Sequence, residues 1–332
     1  MPKVEYNDEM RKKYTDRKKA KRFQGETETE SSVIVRRHHR EEKPKAQQSY
    51  TADLPEAAKP RMKKYPKVSA DDYEVIKGEW EDVDKLVENS RENAVVFVGS
   101  VTDEDRTKTS ADIYNDLFEE KYRNREDVVL ISKEDIQKIV DEAKQNKSPA
   151  RTVLRNLKEM IASHPDKKII FSYPYLLKDL GLRPDFYHPQ NGTPTPFHLA
   201  INMKAGDDPD LGALCWFQEK GKIALGPLSI EGPEPDETAK RQLEGIANFM
   251  RITRFLAPDR QGMRVSFGHG WNLDALAIYL AKGKVGAEEF GEVLDGKIFG
   301  NAKGFDITVE KNGEIKMHCR GKEFMIPVER LI

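Results

Sequence analysis

Short apolar runs alternate with stretches of helical periodicity along most of the chain. Ala94–Val98 is a continuous apolar run typical of a strand buried on both faces. Val33–Val35, 128–131 and Met263–Phe267 are further predicted strands. Between these strands, apolar residues recur at helical spacing, which predicts amphipathic helices. The predicted helices cover Ser69–Val87, Thr107–Tyr122, Lys133–Gln145, Ala150–Ser163, Glu237–Leu256 and Asn272–Ala281.

The segment from about residue 165 to 235 has a different character, because prolines interrupt it repeatedly. It contains two candidate strands, Phe197–Met203 and Ala213–Phe217. We interpret this segment as an irregular insertion that forms a cap over a core, rather than as a second domain.

The last part of the chain carries a strong turn signal. Asp306–Lys311 and Glu314–Cys319 alternate apolar and polar residues and flank Asn312-Gly313, the dipeptide most typical of a two-residue hairpin turn. Strands that alternate with helices favour an α/β fold with parallel strands. The sequence therefore predicts a mainly parallel sheet flanked by helices, with a proline-rich cap and a C-terminal hairpin.

Charge distinguishes the first 30 residues from the rest. Residues 11–22 hold eight Lys and Arg and one acid, and residues 25–30 are acidic and polar. Neither stretch has an apolar face to bury, so we expect residues 1–30 to be a disordered charged arm before one catalytic domain at 31–332. A contact with nucleic acid or another anionic partner is the alternative role for this arm. The whole chain carries 56 Lys+Arg and 57 Asp+Glu, and its net charge of −1 gives no information for or against such a partner.

Several classes of protein are excluded by what the sequence lacks. Cys215 and Cys319 are the only cysteines, too few for a disulfide framework or a cysteine zinc site. No apolar stretch is long enough to span a membrane, and no apolar segment follows the basic start, so we expect a cytoplasmic protein. Dinucleotide, Walker and His-Glu-x-x-His motifs are absent, so neither a cofactor nor a metal is expected.

Histidines and arginines follow three of the predicted strands. Arg37 and His38 follow the first, Arg106 lies beyond the second, and His269 follows Met263–Phe267. Neighbouring parallel strands would bring these side chains to one edge of the sheet, where ligands bind in open α/β sheets. A neutral imidazole is a nucleophile near pH 7, and arginine matches phosphate oxygens. The set therefore indicates attack on a phosphoryl group whose charge is held by cations.

Four motifs in this order resemble the histidine phosphatase superfamily, which has the phosphoglycerate-mutase-like fold. Val33–His39 resembles the first strand of that family, which runs into Arg-His-Gly. Thr102–Ala111 resembles the segment in which an arginine opens a helix. Gly232–Glu237 resembles the Gly-Glu turn before a long helix, and Val265–Leu276 resembles the strand that runs into a second His-Gly.

The resemblance covers about residues 33–319 and implies a phosphomonoester hydrolase, or a phosphomutase, acting on a phosphorylated small molecule. It implies that His38 becomes a phosphohistidine while Arg37, Arg106 and His269 hold the nonbridging oxygens. A carboxylate would protonate the leaving oxygen. The candidates, by position only, are Glu219, Glu231 and Glu234.

Four more residues are candidates for substrate binding. His39 and Arg40 follow the expected nucleophile, Trp271 follows the second His-Gly, and His198 lies in the expected cap. His39 occupies the position of the family's glycine, where the backbone approaches phosphate. This departure and the unassigned acid favour the alternative hypothesis, a catalytically inactive phosphatase-like module that binds a phosphorylated ligand or a protein.

Overall fold

A computed structural model of the chain describes residues 30–38, 64–100, 105–172, 186–187, 193–206, 208–310 and 312–331. The expected arm at residues 1–30 lies outside these ranges, apart from Glu30. In the described part, the strands are β1 (Ser31–Arg37), β2 (Val95–Ser100), β3 (Val128–Ile131), β4 (Lys168–Ser172), β5 (Lys222–Leu225), β6 (Leu228–Glu231), β7 (Gly262–Gly268), β8 (Gly304–Val309), β9 (Ile315–Cys319) and β10 (Lys322–Met325).

In the described part, the helices lie between or after strands in the sequence. They are α1 (Ala70–Asn89), α2 (Asp105–Tyr122), α3 (Lys133–Lys144), α4 (Pro149–Ala162), α5 (Pro196–Ala205), α6 (Pro209–Glu219), α7 (Pro235–Leu256), α8 (Gly270–Lys282) and α9 (Ala287–Leu294). A short 3-10 helix at Val328–Arg330 follows β10.

A mixed sheet lies at the centre of the fold, in the order β10-β9-β8-β1-β7-β2-β4-β3. Five neighbouring strands pair in parallel, namely β1, β7, β2, β4 and β3. The pairs β1–β8, β8–β9 and β9–β10 are antiparallel. The fold is therefore α/β with a large, mostly parallel sheet and helices on its faces, as the alternation of strands and helices predicts. β5 and β6 form a separate two-stranded sheet.

The two faces of the sheet bury two separate cores, because side chains along a strand alternate between faces. In β1, Val33 and Val35 belong to one core and Ile34 belongs to the other. Helices α1 and α2 cover the Ile34 face, and α3, α4, α7 and α8 contribute to the opposite core. This alternation decides where the polar residues after Val35 point.

Two predicted strands in the expected cap are wrong, because both segments are helices. Phe197–Met203 lies in α5 and Ala213–Phe217 lies in α6. Each helix begins with proline after a capping residue: Thr195 accepts a hydrogen bond from the His198 N–H at 3.3 Å, and Asp208 accepts one from the Asp210 N–H at 2.8 Å. A capping side chain followed by proline is a helix start signal, and it outweighs the apolar composition that suggested strands.

The lower boundary of the expected insertion also needs correction. β4 lies within residues 165–235, yet it pairs with β2 and β3 in the central sheet. Its apolar residues 169–171 are buried, so this part belongs to the core rather than to an insertion.

Candidate active site

The carboxyl ends of β1 and β7 place two histidines side by side. Arg37 is opposite Gly268 in the parallel ladder, and the His38 N–H donates a hydrogen bond to the Gly268 carbonyl at 3.0 Å. His38 and His269 are therefore the next residues on the two strands. Both are buried, their ring centroids are 5.0 Å apart, and the ring planes are inclined by 61°.

His269 is the histidine whose charge state the structure defines. Burial, together with the nearby charges of Arg106 and Arg37, lowers its pKa to about 3. The ring is therefore neutral near pH 7 when no anion is bound. An anion between the two arginines and His269 would offset the cations that disfavour the imidazolium form.

The two arginines come from different elements on the same edge of the sheet. Arg37 ends β1, and Arg106 is the second residue of α2, which follows β2 in the chain. Arg106 contributes to the lowering of the pKa of Arg37 as well as that of His269, so the two guanidinium groups repel each other. Repulsion between neighbouring cations would be relieved by an anion placed between them.

A cavity of about 310 Å³ lies at this edge of the sheet and is lined by both histidines and both arginines. Its volume is sufficient for a small ligand, at the lower end of the range for small-molecule sites. Its other described lining residues come from the segment around residue 186, α5, α6, the start of α8 and the loop before β8. They are Phe186, Tyr187, His198, Asn202, Gly206, Asp208, Pro209, Gly270, Trp271, Asn272 and Ile298.

Arg37 is held in the cavity by few contacts. Its Nη1 donates to the Phe299 carbonyl at 2.5 Å, and its buried Nε has no hydrogen-bond partner among the described residues. Burial lowers the pKa of Arg37, although Asp274 and Asp210 oppose that effect. Arg37 is thus a partly buried cation whose compensation by carboxylates is incomplete.

Among the carboxyl groups near Arg37, the buried Asp274 has the largest effect on the pKa of this arginine. It is fully buried in α8, and its Oδ1 accepts the Phe299 N–H at 2.9 Å. Burial raises its pKa to about 7, although the Phe299 N–H and Arg37 oppose the rise. Phe299 is therefore held by Asp274 through its N–H and by Arg37 through its carbonyl.

Aromatic rings from outside the central sheet line part of the cavity. Trp271 lies 5.0 Å from Phe186 and 5.5 Å from His198, and Tyr187 lies 4.9 Å from His198, measured between ring centroids. All three pairs are close to edge-to-face. This aromatic wall, defined by Phe186, Tyr187, His198 and Trp271, includes two of the expected substrate-binding residues.

The expected carboxylates are not among the residues that line the cavity. Glu231 is exposed in β6 and pairs with Lys222 at 3.3 Å, and Glu219 pairs with Lys204. Glu234 lies at the N-terminus of α7. His39 and Arg40 lie outside the described residues.

Asp208 is the carboxylate that the structure does place at the cavity, and sequence reasoning missed it. Its Oδ1 accepts the N–H groups of Asp210 at 2.8 Å and Leu211 at 3.2 Å, so the side chain caps α6. The Asp-Pro pair at residues 208–209 was an available signal for a helix start. No sequence signal showed that this helix start would lie at the strand ends.

A scan against protein-family models finds no match to this chain, and a search of curated proteins finds none either. Neither comparison therefore indicates what the chain does. The described part of the chain lacks two features. No group of three or more His, Cys, Asp or Glu residues there could hold a metal ion, and no helix there has the length and apolarity needed to cross a bilayer.

Proposed function

We propose that the protein hydrolyses phosphate monoesters through a phosphohistidine on His38. The observation that carries the proposal is the convergence of His38, His269, Arg37 and Arg106 on one cavity at the carboxyl ends of parallel strands. A nucleophile and several cation donors around a small cavity are what phosphoryl transfer requires.

The proposed reaction has two steps. In the first, a His38 ring nitrogen attacks phosphorus in line, the N–P bond forms and the ester P–O bond breaks. The leaving oxygen keeps the electron pair and takes a proton from water. In the second, water attacks phosphorus, the P–N bond breaks and inorganic phosphate leaves. Arg37 and Arg106 hold the nonbridging oxygens throughout, and their charge stabilises the transition state. His269 donates to a nonbridging oxygen once the bound dianion makes its protonated form favourable.

The resemblance to histidine phosphatases supports the same proposal from a different direction, since the four residues are those that match that family's motifs. In this proposal, α5, α6 and the β5–β6 pair act as a cap beside the cavity, and the antiparallel strands β8 and β9 form a C-terminal hairpin. The substrate is a phosphorylated small molecule, which the volume of the cavity fits.

A catalytically inactive, phosphate-binding module is the second candidate. The described residues that line the cavity favour it, because they include no carboxylate placed as a proton donor. Among the described lining residues, Asp208 is the carboxylate, and it caps α6 instead of pointing a protonated oxygen at a leaving group. Such a module would bind inorganic phosphate at the same cations without becoming phosphorylated.

Labelling with a radioactive phosphate monoester separates the two candidates. An active enzyme incorporates phosphate that is acid-labile and base-stable, and the His38→Ala variant incorporates none. His318→Ala is the matched control, because His318 lies on β9 with about half of its side chain exposed. Binding of phosphate without any labelling of the wild-type protein would support the inactive module instead.

A further inference from the structure

The aromatic wall combines partly exposed rings with contacts between neighbouring rings. Phe186 is buried behind the other three, where it also meets Trp216 in an edge-to-face contact at 4.9 Å. Tyr187 remains 36% exposed, and His198 and Trp271 are partly exposed. The partly exposed rings thus line the cavity, and Phe186 packs against His198 and Trp271.

Trp271 is fixed more firmly than a ring that merely fills space. Its Nε1–H donates to the Pro209 carbonyl at 3.1 Å, and its six-membered ring packs against the backbone of Gly212 in α6. A Cβ at Gly212 would lie 2.5 Å from Trp271 Cζ2, so glycine there leaves the space that the indole occupies. Trp271 is only two residues after His269, so the wall begins next to the phosphate-binding cations.

The wall carries no opposing charge. Burial lowers the pKa of His198, so its ring is neutral near pH 7. The cavity therefore has a cationic part around Arg37 and Arg106 and an aromatic part around Trp271, where the lining carboxylate of Asp208 is engaged in capping α6. A ligand that fits both parts is an anion attached directly to a flat apolar ring.

The role of Asp208 as a helix cap, and not as a proton donor, is consistent with the same kind of ligand. Protonation by an enzyme acid matters most when the leaving group is a strongly basic alkoxide. A phenol has a pKa of about 10, as in tyrosine, so an aryloxide can leave with little assistance. A cavity whose described carboxylate serves as a helix cap is suited to such a leaving group.

We propose that the cavity selects phosphate monoesters of aromatic alcohols, with the aryl ring against Trp271, His198 and Tyr187 and the phosphoryl group between the histidines and arginines. This proposal rests on the proposed function, and it specifies the class of substrate. In the first step the aryl P–O bond breaks, the aryloxide leaves with the electron pair, and it takes a proton from water.

Three non-hydrolysable phosphonates test the selection without requiring turnover. Phenylphosphonate, cyclohexylphosphonate and methylphosphonate share the head group, and the first two have rings of similar size. Their affinities for the full-length protein are measured by isothermal titration calorimetry at one pH. We expect phenylphosphonate to bind roughly two to twelve times more tightly than the other two, the range that an aromatic pair contributes. Equal affinities would overturn the proposal.

Variants then assign the preference to the wall. Trp271→Leu and Tyr187→Leu should each reduce the phenyl-to-cyclohexyl affinity ratio towards one, and Trp271→Phe should retain most of it. The ratio is internal to each variant, so a partly unfolded preparation does not change it. Phe255→Leu is the matched control, because Phe255 is an exposed ring on α7 outside the cavity lining. A ratio unchanged in both wall variants would also overturn the proposal.

The phosphonate affinities and the labelling of His38, taken together, separate this proposal from the proposed function. Aromatic selectivity without phosphohistidine formation would leave the wall assigned and reject the hydrolase. Labelling of His38 without aromatic selectivity would reject the wall and keep the hydrolase. Failure of the wild-type protein to bind any of the phosphonates would contradict both.

Discussion

Arg36 and Arg37 are adjacent in β1, and the sheet sends their side chains to opposite faces. Arg36 is buried among groups that compensate it: its Nη1 is 2.6 Å from Asp306 Oδ1, its Nε is 3.8 Å from Glu79 Oε2, and Nη1 also donates to the carbonyls of Val35 and Phe305 at 3.1 Å. Burial alone would lower the pKa of Arg36, but Asp306 and Glu79 raise it.

Arg37 is partly buried, and its pKa is lowered, whereas Asp306 and Glu79 raise the pKa of Arg36. The Nε of each arginine has no hydrogen-bond partner among the described residues, so the difference lies in the carboxylates that face them. The buried carboxyl group near Arg37, Asp274, has a pKa raised to about 7, so that group is only partly ionised at neutral pH. A buried cation with full compensation contributes to folding, whereas one without it costs free energy until an anion arrives. The difference favours a structural role for Arg36 and supports the ligand-binding role that we propose for Arg37.

The largest effect is expected from Arg37→Met. Loss of a charged donor at the phosphoryl group should reduce kcat/KM on a phosphate monoester by about 100- to 1000-fold, or about 2.7–4 kcal/mol. The free energy of unfolding in urea should change by less than about 1 kcal/mol, because the removed charge is poorly compensated. A variant that keeps its activity, or that unfolds easily, would break the comparison at the Arg37 side.

Arg36→Met should show the opposite pattern. It leaves Asp306 and Glu79 without their buried partner, which typically costs 3–5 kcal/mol. We expect a loss near the lower end, about 3 kcal/mol in urea unfolding, since Glu79 keeps Lys303 and Asp306 is about a quarter exposed. The folded fraction should retain its kcat/KM. Arg36→Lys is the matched control and should lose less, since it keeps the charge.

The pH dependence of stability tests the weak compensation of Arg37 by Asp274. The ordinary pKa of this carboxyl is 3.8, and burial raises it to about 7 in the folded protein. Between these values the folded state holds a proton that the unfolded state releases. The stabilisation from that proton is therefore complete below the unfolded pKa and is lost as the pH rises through about 7.

The measurement is the difference in unfolding free energy between the wild type and Asp274→Asn at several pH values. We expect this difference to shift against the wild type by roughly 2 kcal/mol from pH 5 to pH 7. His269, whose pKa is lowered, acts with the opposite sign, and taking the difference removes its contribution. A difference that does not vary with pH would show that Asp274 is ionised and compensates Arg37 fully.

The smallest effect concerns the space around Arg37. A Cβ at Gly270 would lie 3.1 Å from Arg37 Cζ and Nε, so Gly270→Ala should displace the guanidinium by a few tenths of an ångström. We expect kcat/KM to fall about fivefold, or about 1 kcal/mol, because phosphoryl transfer depends on position. Gly291→Ala in α9 is the control, since nothing lies within 4 Å of its Cβ. Equal effects of the two substitutions would show that the contact is unimportant.

Local patterns in the sequence predict the parallel half of the sheet well. The apolar runs at Val33–Val35, Ala94–Val98 and Met263–Phe267 coincide with β1, β2 and β7, because buried parallel strands need apolar residues on both faces. Alternation along β1 then requires that Arg36 and Arg37 separate. No local pattern shows which elements lie beside Arg36 and Arg37. The sequence therefore does not predict that Asp306 pairs with Arg36 or that Asp274 lies near Arg37.

Local patterns predict the segment expected to form a cap less well, since several short signals conflict there. The apolar residues of α5 and α6 suggested strands, although Phe197, Ala200 and Ile201 have helical spacing and are buried in α5. The aromatic wall joins residues 186–187, α5 and the start of α8, which are separated in the sequence. Such a surface depends on tertiary packing, so no local pattern indicates it.

The position of β1 in the middle of the sheet has a consequence for synthesis on the ribosome. Its two neighbours, β7 and β8, both come late in the chain, and His38 and His269 are 231 positions apart (269 − 38). At roughly 5–20 residues per second, the β1 segment emerges about 10–50 s before the strand it must pair with. During that interval Val33–Val35 has neither ladder partner. The nascent chain therefore carries an unpaired apolar segment of the kind that chaperones protect, until the second histidine has been translated.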